Sequence, residues 1–324
     1  MTLIDTHAHI SYEDYSDRIE EVIQAAEDNG VEKIISIGVD LSSSEECLKL
    51  AEKYPSVFAT CGIHPHEAGK APKRYLYELE EFTHHTKVVA IGEIGLDYHY
   101  DFSDRKVQRR VYHEQLEMAK SLDLPAVVHC RESDDDILDG IQNSRNDKGV
   151  IHCFASNVEF AQKILETGFH ISFTGMITFV KDLEEVVKEI PLERMMVETD
   201  SPYLSPKPFR GKQNQPKNVL HVAEKVAELK EVSLEEISKA LDLTEKESKE
   251  QERRILRSIV EFGNTDVKEV MKSRVDVLAI EQHTVFTEVI KKIVSSGFSR
   301  IPVFKEQFDN VLGILYIKDL IPFL

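Results

Sequence analysis

The chain has 324 residues, 41% of them hydrophobic and 30% charged, with a formal net charge of −18. That length and balance fit one large globular domain plus a smaller one, and they exclude a collagen-like or low-complexity chain. Such acidity also excludes loose, charge-driven binding to nucleic acid, so a phosphate substrate needs a local positive site, either a metal or a basic loop.

From residue 3 onward, short β-rich runs alternate with amphipathic helical stretches. The predicted strands are 3–9, 33–39, 57–63, 88–94, 125–130, 149–154, 169–174 and 195–199. Each is a short run rich in Ile, Val, Phe and Ala, as in strands buried on both faces. Between them lie helical patterns. Residues 104–122 set Val107, Val111, Leu116 and Met118 near one face. Residues 157–168 end on Gly168, a helix stop. Asn157 and Ser233 are predicted N-caps. Eight such units in about 240 residues predict a (β/α)8 barrel. A doubly wound sheet has fewer strands and a Gly-rich turn after the first, and neither occurs here.

The charge is uneven: residues 1–241 hold 44 acidic and 27 basic side chains, and residues 242–324 hold 14 and 13. Two modules are therefore expected to meet near residue 242. Residues 242–262 read as a helical connector. Residues 263–324 read as a small α/β module: "VKEVM", "VDVLAI", "VFTEVIKKIVSSG", "RIPVF" and "VLGILYI". No apolar run approaches the ~18 residues needed to span a bilayer, and the N-terminus lacks a secretory layout. Cys47, Cys61, Cys130 and Cys153 form no Cys-x-x-Cys pair. They read as free thiols, and the expected location is the cytoplasm, away from membranes.

Working residues of a barrel project from the C-terminal ends of its strands. Those ends hold His7 and His9 (strand 1), His64 and His66 (strand 3), Glu93 and Asp97 (strand 4) and His129 and Arg131 (strand 5). Strand 6 adds His152, and strand 8 adds Glu198 and Asp200. Any one of these, alone, reads as a core histidine or a turn-forming Asp. Together, at equivalent positions, they read as metal ligands. A ligand set of four imidazoles and two carboxylates drawn from these exceeds what one open tetrahedral ion needs. It suits two ions about 3.5–4 Å apart with a bridging carboxylate. Mixed N/O donors fit Zn, Mn, Co or Fe, and Mg less comfortably. Hydrolysis is the natural reaction class.

"DTHAHI", "GIHPH", "AIGEIGLDYH", "VVHCRES", "IHCF" and "VETDSPYLSP" together resemble the TatD family of metal-dependent deoxyribonucleases, within the amidohydrolase superfamily. The resemblance covers roughly residues 1–241. It implies that His7, His9 and Asp200 hold one ion, that His129 and His152 hold the other, and that Glu93 bridges them. It implies that Asp200 also takes a proton from the attacking water, and that His64 faces the phosphate or leaving oxygen. Arg131 is left open between a phosphate contact and a structural ion pair. The implied reaction is hydrolysis of DNA phosphodiester bonds, expected to be exonucleolytic on single strands. The loop 205–218 carries Lys207, Arg210, Lys212 and Lys217 without an acid. It is a candidate DNA contact, with Tyr203 and Phe209 available to stack on a base.

TatD-like chains close with a short Thr-x-Asn segment and a final aromatic. Here the chain runs on instead, and residues 250–324 resemble the cytosolic part of CorC-like transporter-associated proteins, with one CBS motif. CBS motifs work in pairs around adenine nucleotides. Asp319 matches a ribose-holding position, but Tyr316 replaces the usual Thr or Ser, so nucleotide binding is not expected. Two chains can pair their single motifs into a homodimer. Two other functions stay open. One is a barrel acting on a small amide, ester or lactone. The other is a CBS-mediated nucleotide-sensing or scaffold protein with a vestigial barrel.

Overall fold

Runs of β-branched and apolar residues become eight parallel strands hydrogen-bonded in the order β1-β2-β3-β4-β5-β6-β7-β8. A computed structural model describes residues 2–100, 102–238, 277–296, 300–316 and 320. The strands are β1 (Leu3–Ala8), β2 (Val31–Ser36), β3 (Val57–Cys61), β4 (Val88–Asp97), β5 (Ala126–Arg131), β6 (Gly149–Ile151), β7 (His170–Phe173) and β8 (Met195–Val197). A helix follows each strand: α1 (Ile19–Glu27), α2 (Leu41–Lys53), α3 (Tyr75–Thr83), α4 (Arg105–Ser121), α5 (Asp134–Ser144), α6 (Val158–Glu166), α7 (Asp182–Glu189) and α8 (Val219–Lys230). The result is the expected (β/α)8 barrel, nearly closed. Its seam runs between β1 and the segment just past β8. The Asp200 N–H donates to the His7 carbonyl at 2.9 Å, and the His9 N–H donates to the Ser201 carbonyl at 2.8 Å.

Several strands end earlier than their apolar runs suggest. β6 stops at Ile151 and β8 at Val197, so His152, Glu198 and Asp200 lie on the turns that follow. β4 runs longer, to Asp97, and carries Glu93 and Asp97 on one strand. Gly95 lets it do so. Its φ is +131°, and a Cβ there would stand 2.1 Å from the His129 carbonyl oxygen. Only glycine accepts both the backbone conformation and that close approach.

The helix ends follow the capping chemistry. Asn157 accepts the Phe160 N–H at the start of α6, and Gly168 sits just beyond it at φ +101°. Ser233 accepts the Glu236 N–H while the Glu236 carboxylate accepts the Ser233 N–H, a reciprocal cap. The buried face of α4 includes Val111, Tyr112 and Leu116, but also Gln108 and Gln115.

The chain divides into two units, Met1–Lys249 and Glu250–Leu324. In the second, β9 (Ile280–Glu281) pairs parallel with β10 (Arg300–Lys305), which pairs antiparallel with β11 (Gln307–Tyr316). Helix α9 (Phe286–Ser296) packs Val289 and Ile293 against Ile280 and Ile301. The Arg300 guanidinium lies 5.7 Å from the Tyr316 ring centroid. The expected connector at 242–262, the "VKEVM" helix and Asp319 lie outside the described residues.

Candidate metal centre

Side chains of a strand alternate with period two, so Asp5 and His7 share one face of β1, and His9 follows just past its end. All three are buried. Asp5 is the footing. Its Oδ1 accepts the Thr199 N–H at 2.8 Å, its Oδ2 the Thr199 hydroxyl at 2.5 Å. The turn after β8 is thereby tied to β1, and Asp200 arrives beside the two histidines. Asp200 adopts φ +52°, which turns its carboxylate back toward the barrel axis.

The donors form two clusters that share Glu93. In the first, the His7 and His9 Nε2 atoms are 3.3 Å apart. Asp200 Oδ1 lies 3.6 and 3.4 Å from them, and Glu93 Oε2 lies 3.5 and 3.8 Å from them. In the second, Glu93 Oε1 lies 3.1 Å from His129 Nδ1 and 2.8 Å from His152 Nε2. Those two nitrogens are 3.3 Å apart. The His7 and His152 rings stack at 3.9 Å and join the clusters.

These separations test the fit to a cation. Donors about 2.1 Å from one tetrahedral ion stand about 3.4 Å apart. Asp200 and the two histidines of the first cluster have that spacing, at 3.3, 3.6 and 3.4 Å. Its close nitrogens and carboxylate oxygens present lone pairs to one point, an arrangement that a cation resolves. Burial alone would push the Glu93 carboxyl up. The facing His152 and His64 imidazoles, with hydrogen bonds from His129 and His152, hold it well below the usual range. Burial would likewise lower His152, but Glu93 and Glu198 raise it well above the ordinary value. The carboxylates thus draw positive charge into the cluster. The residues fit a metal centre.

The outer contacts orient the donors. Asp97 Oδ2 accepts from His129 Nε2 at 3.2 Å and from His66 Nε2 at 2.9 Å. Its Oδ1 accepts the His99 and Tyr100 N–H groups. Burial works against the Asp97 charge, but these hydrogen bonds leave its carboxyl below the usual range. Glu198 accepts the Cys153 N–H at 2.6 Å and the Ser172 hydroxyl at 2.7 Å, and its Oε1 lies 3.4 Å from His152 Nδ1. Asp97, Glu198 and His66 were visible at strand ends in the sequence without a role. Asp5 was not singled out, and its place in an apolar strand was the available signal.

His64 lies 3.4 Å from Glu93 Oε1 through Nε2. Its Nδ1 accepts the His66 N–H at 3.1 Å, which assigns the proton of the neutral ring to Nε2. Burial pushes its pKa down to about 4. A cavity of about 780 Å³ opens over the donors and is lined by His9, His64, Glu93, His129, His152 and Asp200. His7 lies beneath, fully buried. Arg131 and Tyr203 also line the cavity, with Tyr12 and Tyr100. Arg131 lies over the Tyr100 ring at 4.8 Å. Lys207, Arg210 and Lys212 are exposed and outside the cavity lining. The Arg210 guanidinium rests 3.8 Å from the Phe179 centroid, and Phe209 packs against His221 at 5.3 Å.

Two family models match the chain: "TatD related DNase" over residues 4–248 and "CBS domain" over residues 267–324. The uncharacterized metal-dependent hydrolase YabD of Bacillus subtilis (strain 168) is 41% identical over 240 residues, covering 73% of this chain and 94% of YabD. The uncharacterized metal-dependent hydrolase YcfH of Escherichia coli (strain K12) is 34% identical over 245 residues, covering 74% and 92%. The crystal structure of YJJV, a TatD homolog from Escherichia coli K12, matches with TM-score 0.71 and 32% identity, covering 74% of this chain and 94% of that one. These matches, on a barrel that gathers six candidate metal ligands, show that the chain belongs to the TatD family of metal-dependent hydrolases, with a CBS domain following.

Proposed function

We propose that the protein is a deoxyribonuclease that hydrolyses phosphodiester bonds at a centre of two divalent cations. The supporting observation is the division of Glu93: Oε2 faces the His7–His9–Asp200 cluster and Oε1 faces His129 and His152. When bound, the two ions would activate water and brace the attacking and leaving oxygens. Asp200 faces the cavity beside the first cluster and accepts the proton of the attacking water. His64 Nε2–H donates to a phosphate or leaving oxygen and needs no change of charge to do so. Arg131, at the cavity wall, offers a fork of donors to the neighbouring phosphate. Neutral imidazoles with carboxylates suit Zn, Mn, Co or Fe, with Mg less favoured. The free cysteines accord with a reducing cytoplasm.

A small amide, ester or lactone is the competing substrate. Related barrels for such substrates often bridge their ions with a carboxylated lysine on the fourth strand, whereas this chain has Glu93 there. A vestigial barrel serving a CBS-mediated scaffold would have no need of the intact donor set.

The test is a screen of metal-depleted and reloaded protein on end-labelled single-stranded DNA, double-stranded DNA and RNA. Single-stranded DNA is expected to be cut only after reloading, and Glu93→Ala is expected to abolish cutting. Turnover of a lactone or amide panel with no cleavage of any nucleic acid would overturn the reading.

A further inference from the structure

We infer that Tyr100 and Phe102 form a nucleobase-binding platform at the mouth of the metal cavity. This deepens the phosphodiesterase reading and rests on it. Phe102 is 68% exposed and Tyr100 41% exposed. Exposed though it is, the Phe102 ring has aromatic partners. It stacks on Tyr100 at 5.5 Å and 26°. His66 meets it edge-on at 4.8 Å. The Arg131 guanidinium lies over Tyr100 at 4.8 Å. A flat aromatic surface backed by a cation is the chemistry that holds a nucleobase beside its phosphate.

The platform is tied to the metal centre through Asp97. Its Oδ1 accepts the Tyr100 N–H at 3.0 Å, while its Oδ2 faces His129 Nε2 at 3.2 Å. Tyr100 and Arg131 both line the cavity. A base on this platform therefore has its phosphate within the cavity that holds the donors.

A second ring, Tyr203, lines the same cavity and is 54% exposed. It sits on the loop after β8, while Tyr100 and Phe102 follow β4. In the ring of eight strands, β4 and β8 stand four places apart. The two aromatic groups thus face each other across the donors. A base stacked on a protein ring has left the stack of its own helix. The ligand class that fits is a single strand, with its bases splayed on either side of one phosphodiester.

The test compares the full metal-loaded chain with Phe102→Ala on a 5′-labelled single strand. Stacking of one base is worth about 1–3 kcal/mol, or about 5- to 150-fold. KM should rise by a factor in that range with kcat kept, and Phe102→Trp should restore it. Strands lacking one base at each position in turn give a second readout. One abasic position should raise the wild-type KM by the same factor and leave the Phe102→Ala KM unmoved. An unchanged KM in Phe102→Ala, or an abasic penalty that persists in it undiminished, overturns the platform. A phosphorothioate strand carrying 2-aminopurine separates the two readings. If the wild type binds it and quenches its fluorescence but cleaves no DNA, the hydrolytic reading fails and the platform stands. If the wild type cleaves DNA and Phe102→Ala quenches the probe equally, the platform fails and the hydrolytic reading stands. If the wild type neither binds nor cleaves, both fall.

Discussion

Asp97 shows how one side chain serves two layers of the site. It does not reach the donor clusters, yet it holds the far nitrogen of His129 and the start of the loop bearing Tyr100. Removing such a support costs about 10- to 100-fold in metal affinity or activity. Asp97→Ala is therefore expected to weaken metal binding by that factor in a competitive chelator titration, and an unaltered affinity would show that His129 is oriented by other groups. Glu198 faces His152 by charge rather than by a hydrogen bond, with its Oε1 3.4 Å from Nδ1. Glu198→Gln keeps the shape and removes the charge, so a smaller loss is expected there than for Asp97→Ala. The sequence displayed both carboxylates but not which oxygen meets which ring, because that depends on where β4 and β8 end.

Among the elements, α4 does more than cover the barrel. Gln115 Oε1 accepts the Ile63 N–H at 2.7 Å and its Nε2 donates to the Ile63 carbonyl at 3.1 Å. Gln108 treats the Asp97 backbone the same way, at 3.0 Å in both directions. The helix thereby fixes the strand ends that deliver His64 and Asp97. An unsatisfied buried polar group costs about 1–3 kcal/mol. Gln115→Leu leaves two of them, so chemical denaturation is expected to show a loss of at least about 2 kcal/mol. The strand and helix order was legible in the sequence because fully buried strands are short and apolar. The face of α4 was legible only in part. Val111 and Leu116 follow the apolar period, whereas Gln108 and Gln115 are buried for their hydrogen bonds, which hydropathy does not register.

At the scale of the whole molecule, the two units should respond separately to metal. Ligand at a thousand times its Kd stabilises the native state by about 4 kcal/mol. For a unit of this size each kcal/mol moves the melting midpoint by about 2–4 °C. Chelation is expected to lower the barrel transition by about 10 °C in calorimetry and to leave the transition of the second unit where it was. That unit exposes Val311, Leu312, Ile314 and Tyr316 on β11. Pairing of two copies through this face, as the single CBS motif suggests, predicts that Val311→Asp with Leu312→Asp lowers the mass measured by light scattering, and an unchanged mass would exclude it. The barrel seam has a consequence in time. His7 and His9 stand far upstream in the chain of the carboxylate that completes their cluster, Asp200. A chain still emerging from the ribosome, or one cut short before that turn, owns the histidines without the acid. The donor set is therefore incomplete until the last strand has closed the ring.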